Sequence, residues 1–278
     1  MRTSVLSSAL LLVGGAVAGC HGQLSTCQTL DASIVAHTGQ PVGQEVKHDN
    51  ITLYITKPDQ KNPRTKARAG KVVLFLTDVF GLALPENKLL ADSFARAGYL
   101  TVAPDLFAGT PAPGDINVPG FNTTAFLAQH EPPVTDPIIA STLSYVRTEL
   151  KATRVASPGY CFGGRYAFRF ISNSSSSSSG GVGGVDVAFA AHPSLLEADE
   201  IAAIGAPVSV AAADRDTLFG ADARFAAEKG LLETGEVYQV NLYAGTEHGF
   251  GVRVDLGDAQ QKYAKEEAFL QAVRWFDR

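Results

Sequence analysis

A cysteine, an aspartate and a histidine, each placed just after a strand-like run, are the residues of this chain best suited to covalent chemistry. Cys161 is the central residue of a Gly-x-Cys-x-Gly run at 159–163, between a strand-like run at 152–156 and an apolar, helix-like run at 166–171. Glycines two residues before and after a nucleophile allow a sharp strand-to-helix turn that lifts the side chain above a sheet. The spacing therefore predicts a nucleophile elbow with cysteine in place of serine.

Possible partners for this cysteine follow two later strand-like runs. A cysteine attacks as its thiolate and needs a base, and a histidine base needs a carboxylate that fixes its tautomer. Asp214 and Asp216 follow one run, and His248 follows the last one. Nucleophile, acid and histidine thus occur in the chain order of α/β-hydrolases.

Each of these residues also has a purely structural interpretation. Cys161 could be a small buried residue, His248 could cap a loop, and Asp216 could cap the helix that follows it. His192 also follows a strand, but it precedes the acid in the chain, so we interpret it as structural. The histidines are scattered and no two lie at metal-ligand spacing, so neither a metal nor another cofactor is expected.

The elements that must position these residues alternate between strand and helix. A long loop rich in proline and glycine, at 110–133, is predicted to cover the strand ends and shape a pocket. The alternation predicts an α/β fold with a mostly parallel, doubly wound sheet flanked by helices, whose ligand site lies at the carboxyl ends of the strands. The predicted strands are 51–56, 71–77, 99–103, 152–156, 185–190, 207–212 and 237–243, and the main helices are 86–97, 136–150, 197–204, 221–229 and 258–276.

Length and composition fit one catalytic domain. The chain has 278 residues, 45% hydrophobic and 18% charged, which is enough for a full-sized core. Its net charge is −5 and it has no basic cluster, so we expect a small-molecule partner and neither nucleic acid nor an anionic membrane. The serine- and glycine-rich stretch 173–184 is interpreted as a surface insertion in a domain spanning 51–278. The oligomeric state stays open.

The first residues have the layout of an export signal. An apolar run at 9–18 ends in an A-x-A cleavage pattern, so 1–18 is predicted to be a signal peptide of a secreted protein, too short for a stable membrane span. A lipoprotein signal that modifies Cys20 is the alternative. In the extension 19–50, Cys20 and Cys27 could form a disulfide in an oxidising compartment, which would leave Cys161 as the single free thiol.

Four motifs together resemble the dienelactone hydrolase family: the runs at 159–164, 78–81, 103–107 and 248–250. The similarity extends from about His37 to the C-terminus and is greatest to secreted fungal members. The resemblance implies an α/β-hydrolase fold and hydrolysis of a carboxylic ester or lactone, with Cys161 as nucleophile, Asp216 as acid and His248 as base. Asp216 is preferred to Asp214 because the segment 216–219 matches the one that follows the family's aspartate.

The resemblance also implies the course of the reaction. The acyl group would pass to the Cys161 sulfur as a thioester and then to water, while the backbone amides of Phe162 and Val79 form the oxyanion hole. A position at a helix N-terminus would favour the thiolate of Cys161. A catalytically silent relative that binds a small molecule, and an acyltransferase or thioesterase, are the alternatives.

Three positions bear on activation and substrate. Asp78 stands where the family has a glutamate that activates the thiol, and its side chain is one methylene shorter. Arg253 matches one of two arginines that bind a substrate carboxylate, whereas Gly109 occupies the place of the other. The resemblance therefore leaves the substrate open between dienelactone and other esters or lactones.

Overall fold

The computed structural model of the chain describes residues 33–172 and 183–278. One eight-stranded sheet runs through the described residues in the order β1-β2-β4-β3-β5-β6-β7-β8. All neighbours from β4 to β8 are parallel, and β1 and β2 are antiparallel additions at one edge. This confirms the predicted mostly parallel sheet. The strands are β1 (Gln44–His48), β2 (Ile51–Thr56), β3 (Lys71–Leu74), β4 (Leu100–Pro104), β5 (Arg154–Tyr160), β6 (Val187–Ala191), β7 (Val208–Ala213) and β8 (Tyr238–Tyr243).

Helices cover the sheet over two hydrophobic clusters. Successive residues of β3 enter different clusters: Val72 and Leu74 belong to one and Val73 to the other. Because strand side chains alternate between faces, a strand buried on both sides reads as a continuous apolar run. The helices are α1 (Pro63–Ala67), α2 (Pro85–Arg96), α3 (Thr123–Ala128), α4 (Pro132–Thr148), α5 (Phe162–Phe170), α6 (Ala198–Ala202), α7 (Ala221–Thr234) and α8 (Ala259–Phe276).

Two helices at the carboxyl-end loops differ from the sequence prediction. The predicted loop 110–133 contains α3, whose N-cap Asn122 accepts a hydrogen bond from the Ala125 amide. Helix α4 begins at Pro132, four residues before the predicted start. The prediction took Asp136 as the N-cap, but the structure pairs its carboxylate with Arg169 of α5, so that side chain is not available as a cap.

Strand β1 was not predicted at all. Its residues are largely exposed, and its pattern lacks the alternation of apolar and polar residues that marks a strand. It is defined by its antiparallel pairing with β2, in which Gln44 faces Ile55 and His48 faces Ile51. A strand at a sheet edge with polar side chains on both faces carries little sequence signal.

Several predictions concern residues outside the described part of the chain. The signal peptide at 1–18, the Cys20–Cys27 disulfide and residues 173–182 of the serine- and glycine-rich insertion all lie there. Within 33–172 and 183–278, none of the helices combines the length and the apolar character that crossing a membrane would require.

Candidate active site

Cys161 lies at a sharp turn between β5 and α5. It follows the last residue of β5, is the N-cap of α5, and has φ 52° and ψ −113°. This backbone conformation is costly for a residue with a Cβ atom, and such strain persists only where the surroundings hold it in place. The predicted elbow geometry is therefore present at Cys161.

Two of the predicted glycines are required by space. A Cβ atom on Gly159 would lie 2.2 Å from the carbonyl oxygen of Gly163. A Cβ atom on Gly163 would lie 2.3 Å from the carbonyl oxygen of Leu76, beyond the end of β3. The turn thus brings three backbone segments closer together than any side chain would allow.

The Cys161 side chain is nearly buried and lines a cavity. It is 7% exposed, and its sulfur lies 3.6 Å from the hydroxyl oxygen of Ser194 in the loop after β6. The Ser194 amide also donates to the Cys161 carbonyl at 3.1 Å. Ser194 thus contacts the cysteine through both its side chain and its backbone.

His248 and Asp216 form a hydrogen-bonded pair in the loops after β8 and β7. Nδ1 of His248 lies 2.9 and 3.0 Å from the two carboxylate oxygens of Asp216. Burial lowers the pKa of His248, but the hydrogen bond to Asp216 and the neighbouring Cys161 raise it more, giving a pKa of about 10. Nε2 of His248 is buried and has no hydrogen bond of standard geometry within the described chain, but Cys161 is near enough to raise the pKa of the ring.

The two candidate acids have different contacts. Asp214 accepts a hydrogen bond from the Thr246 amide at 3.0 Å and is partly exposed. Asp216 is buried and also accepts the amides of Leu218 and Phe219, at 2.8 and 2.9 Å. Burial raises the pKa of Asp216, but His248 and these amides hold it below its usual value.

Helix capping does not account for Asp216. The N-cap of the following helix, α7, is Gly220, and Asp216 lies four residues earlier. Its carboxylate accepts the Phe219 amide, which orders the turn, and the same carboxylate faces Nδ1 of His248. The capping alternative for this residue is therefore excluded by the geometry.

Asp78 lies beside the site, but the structure shows no hydrogen bond from its carboxylate to Cys161. One oxygen accepts the Phe80 amide at 3.0 Å and the Asn87 side chain at 2.8 Å. The other oxygen is buried and has no partner among the described residues. Burial raises the pKa of Asp78 above its usual value even though Asn87 and Arg253 act in the opposite direction.

The predicted oxyanion-hole residues occupy suitable places in the chain. Phe162 is the first residue of α5, so its amide has no acceptor within that helix. Val79 lines the same cavity as Cys161, in the loop after β3.

Arg253 and Gly109 differ in their relation to the cavity. Arg253 lines it, and its guanidinium lies 4.1 Å from the centre of the Phe80 ring. Gly109 is not among the lining residues, and its amide donates to Asp105 at 2.7 Å. Asp105 also accepts the Phe107 amide and so orders its own turn.

The cavity has a volume of about 530 Å³. The loop and helix spanning 112–127 supply much of its wall, including Phe121, Phe126 and Leu127. Leu218, from the loop after β7, also lines the cavity. The loop predicted to shape a pocket does so.

The sequence did not point to Ser194, and it led us to interpret His192 as structural. Ser194 follows β6 by three residues, so the rule that residues after strands form the site could have found it. The ring of His192 lies 5.0 Å from that of His248 in an edge-to-face contact, and both its nitrogens are buried without a partner in the described chain. Burial keeps the pKa of His192 well below its usual value, so a neutral imidazole packs against the ring of His248.

No group of three or more potential metal ligands occurs in the part of the chain that the structure describes.

Comparison with known proteins agrees with the fold and with the sequence resemblance. The model of the dienelactone hydrolase family matches residues 51–278. Hydrolase pyvD of Aspergillus violaceofuscus is 40% identical over 87% of this chain and 92% of its own length, and hydrolase tropI of Talaromyces stipitatus is 36% identical over the same shares. A crystal structure from Klebsiella pneumoniae, assigned as a dienelactone hydrolase, superposes with a TM-score of 0.65 at 18% identity, over 84% of this chain and 98% of that one.

Proposed function

The chain belongs to the dienelactone hydrolase family of hydrolases, and we propose that it cleaves a carboxylic ester or lactone through Cys161, His248 and Asp216. The observation that carries the proposal is the pairing of His248 with Asp216 beside a strained cysteine that opens into a cavity. These features supply a nucleophile, a base and a carboxylate that holds the base in one tautomer.

The reaction follows from these positions. In the resting site His248, whose pKa is raised, holds at Nε2 the proton taken from Cys161, and the sulfur attacks the substrate carbonyl carbon to form a tetrahedral oxyanion. The amides of Phe162 and Val79 would stabilise this oxyanion. The bond from carbon to the ester oxygen then breaks, and His248 returns its proton to the departing alkoxide, leaving a thioester on Cys161.

Water completes the cycle by the same steps. His248 removes a proton from water as its oxygen attacks the thioester carbonyl, and the departing sulfur recovers that proton. Asp216 stabilises the imidazolium in both halves, and the raised pKa of His248 agrees with such a role. With a lactone, the leaving oxygen becomes a hydroxyl that stays on the acyl chain, so hydrolysis of the thioester releases a single hydroxy acid.

The test is hydrolysis of p-nitrophenyl acetate by the wild type and by Cys161→Ala. We expect turnover by the wild type, its loss in the variant and after treatment with iodoacetamide, and an acetylated Cys161 in mass spectra of rapidly quenched samples. Equal turnover by both proteins would refute the assignment of the nucleophile. Absence of turnover on esters and lactones alike would favour the catalytically silent alternative.

A further inference from the structure

The cavity beside Cys161 has walls that indicate the character of the acyl group. Its volume of about 530 Å³ lies in the range of pockets that enclose drug-sized ligands. Phe121 and Phe126 of the 112–127 segment have ring centres 5.6 Å apart, and Phe126 is backed by Phe107 at 5.5 Å. Aromatic side chains held by ring contacts form a firm apolar wall.

The charges around the cavity do not favour an anionic acyl group. Among the lining residues that the structure describes, Arg253 is the one arginine or lysine, and its guanidinium lies against the Phe80 ring. Asp115 also lines the cavity and opposes this charge. Asp78 lines the cavity as well, and its carboxylate and that of Asp115 oppose the positive charge of Arg253 and of a protonated His248.

We propose that the acyl part of the substrate is a bulky, uncharged aromatic group, delivered as an ester or lactone. This inference rests on the proposed function. An aromatic ring would lie against the wall of Phe121 and Phe126, with the scissile carbonyl at Cys161. A small lactone bearing a carboxylate would leave most of this apolar surface uncovered.

The test compares p-nitrophenyl esters that share one leaving group. We expect kcat/KM for the 3-phenylpropanoate to exceed that for the acetate by about tenfold, from burial of the ring. The monoglutarate, which carries a carboxylate on its acyl chain, should fall below the phenylpropanoate by at least this factor. Equal values, or a preference for the glutarate, would overturn the inference. If Cys161→Ala retains the activity on acetate, the proposed function itself fails.

A pair of variants locates the effect. Phe121→Ala should reduce the ratio of phenylpropanoate to acetate activity by about threefold or more, because it removes part of the aromatic wall. Phe225→Ala, at an exposed residue of α7 outside the cavity lining, is the matched control and should leave the ratio unchanged. Thermal unfolding is used to check that both variants are folded. An unchanged ratio in Phe121→Ala would contradict the placement of the acyl group.

The resting thiol of Cys161 contacts a hydroxyl group in the loop after β6. The sulfur of Cys161 lies 3.6 Å from the Ser194 hydroxyl, whereas the carboxylate of Asp78 is directed to Asn87 and to the Phe80 amide. The geometry assigns Ser194 as the residue that positions the thiol. A hydroxyl that donates to sulfur stabilises its negative charge, so Ser194 would assist formation of the thiolate.

Ser194→Ala tests this role through the pH profile of Cys161 alkylation by iodoacetamide. We expect the profile to move to higher pH and kcat/KM for p-nitrophenyl acetate to fall by about three- to tenfold, the effect of losing one typical hydrogen bond. Ser194→Thr, which keeps the hydroxyl, should restore the wild-type profile. An unchanged profile in Ser194→Ala would overturn the assignment. A shift in Asp78→Asn without one in Ser194→Ala would return the role to the carboxylate.

Discussion

Replacing Gly163 by alanine tests whether the elbow depends on close backbone approach. Gly163 lies in the first turn of α5, and its amide donates to the Thr77 carbonyl at 3.0 Å. An alanine Cβ atom there would lie 2.3 Å from the Leu76 carbonyl oxygen and 2.7 Å from that of Thr77. Both obstacles are backbone atoms, so no side-chain rotation relieves the clash.

The expected cost follows from these distances. Real Cβ contacts are not shorter than 3.0 Å, so the loop after β3 or the start of α5 must move by at least about 0.7 Å. Overpacking of this kind costs about 1–3 kcal/mol or more, and the better helix propensity of alanine returns about 1 kcal/mol. With the clash at the upper part of this range, we expect a net loss of about 1–2 kcal/mol in the free energy of unfolding.

The displacement should also affect activity. The Leu76 carbonyl accepts the Tyr160 amide at 3.1 Å, so movement of this segment shifts the residue next to Cys161. A misplacement of about 1 Å at a reacting group can lower the rate about 100-fold. We expect a loss of kcat/KM for p-nitrophenyl acetate of this order.

Urea unfolding and steady-state kinetics are the measurements. Gly114→Ala is the control for stability, because a Cβ atom at Gly114 meets no atom within 4 Å. The packing argument would be refuted if the free energy of unfolding of Gly163→Ala lay within about 0.5 kcal/mol of the wild-type value and its kcat/KM within about threefold.

The other predictions concern the charged groups. Asp216→Asn should lower kcat/KM by about 10³- to 10⁴-fold, whereas Asp214→Asn should change it less than about threefold. If pH-rate profiles show equal losses of kcat/KM in the two variants, the assignment of the acid is contradicted. Because the pKa of His248 is raised from 6.5 to about 10, its contribution to stability is complete below pH 6.5 and is lost as pH rises through about 10. Urea unfolding should show this loss of stability with rising pH in the wild type and a smaller one in His248→Gln. The same dependence of the free energy of unfolding on pH in both proteins would contradict the prediction. The raised pKa of Asp78 means that its ionisation costs stability above its usual value of 3.8, so Asp78→Asn should be more stable than the wild type at pH 7 and should gain nothing at pH 3. A variant less stable at pH 7 would show that the buried carboxylate is compensated.

Local signals account for the parts of the fold that were predicted. Apolar runs and the glycines after helices marked the strands from β2 onward and most helices, because strand and helix periods appear directly in the sequence. Strand β1 and the start of α4 were missed, since β1 depends on pairing with β2 and Asp136 is occupied by Arg169. Pairing between distant segments leaves no periodic signal.

For the candidate site, the sequence by itself determined the elbow at Cys161 and the order of cysteine, aspartate and histidine, because a glycine spacing and a chain order are local properties. The family resemblance preferred Asp216 to Asp214, but only the tertiary structure shows the contact that joins Asp216 to His248. Asp214 and Asp216 lie two residues apart in one loop, but the loop directs Asp214 to the Thr246 amide and Asp216 to the histidine. It also decided that Ser194, not Asp78, contacts the thiol. These outcomes depend on where separate loops meet at the carboxyl ends of the strands, and that meeting is set by sheet register and side-chain packing.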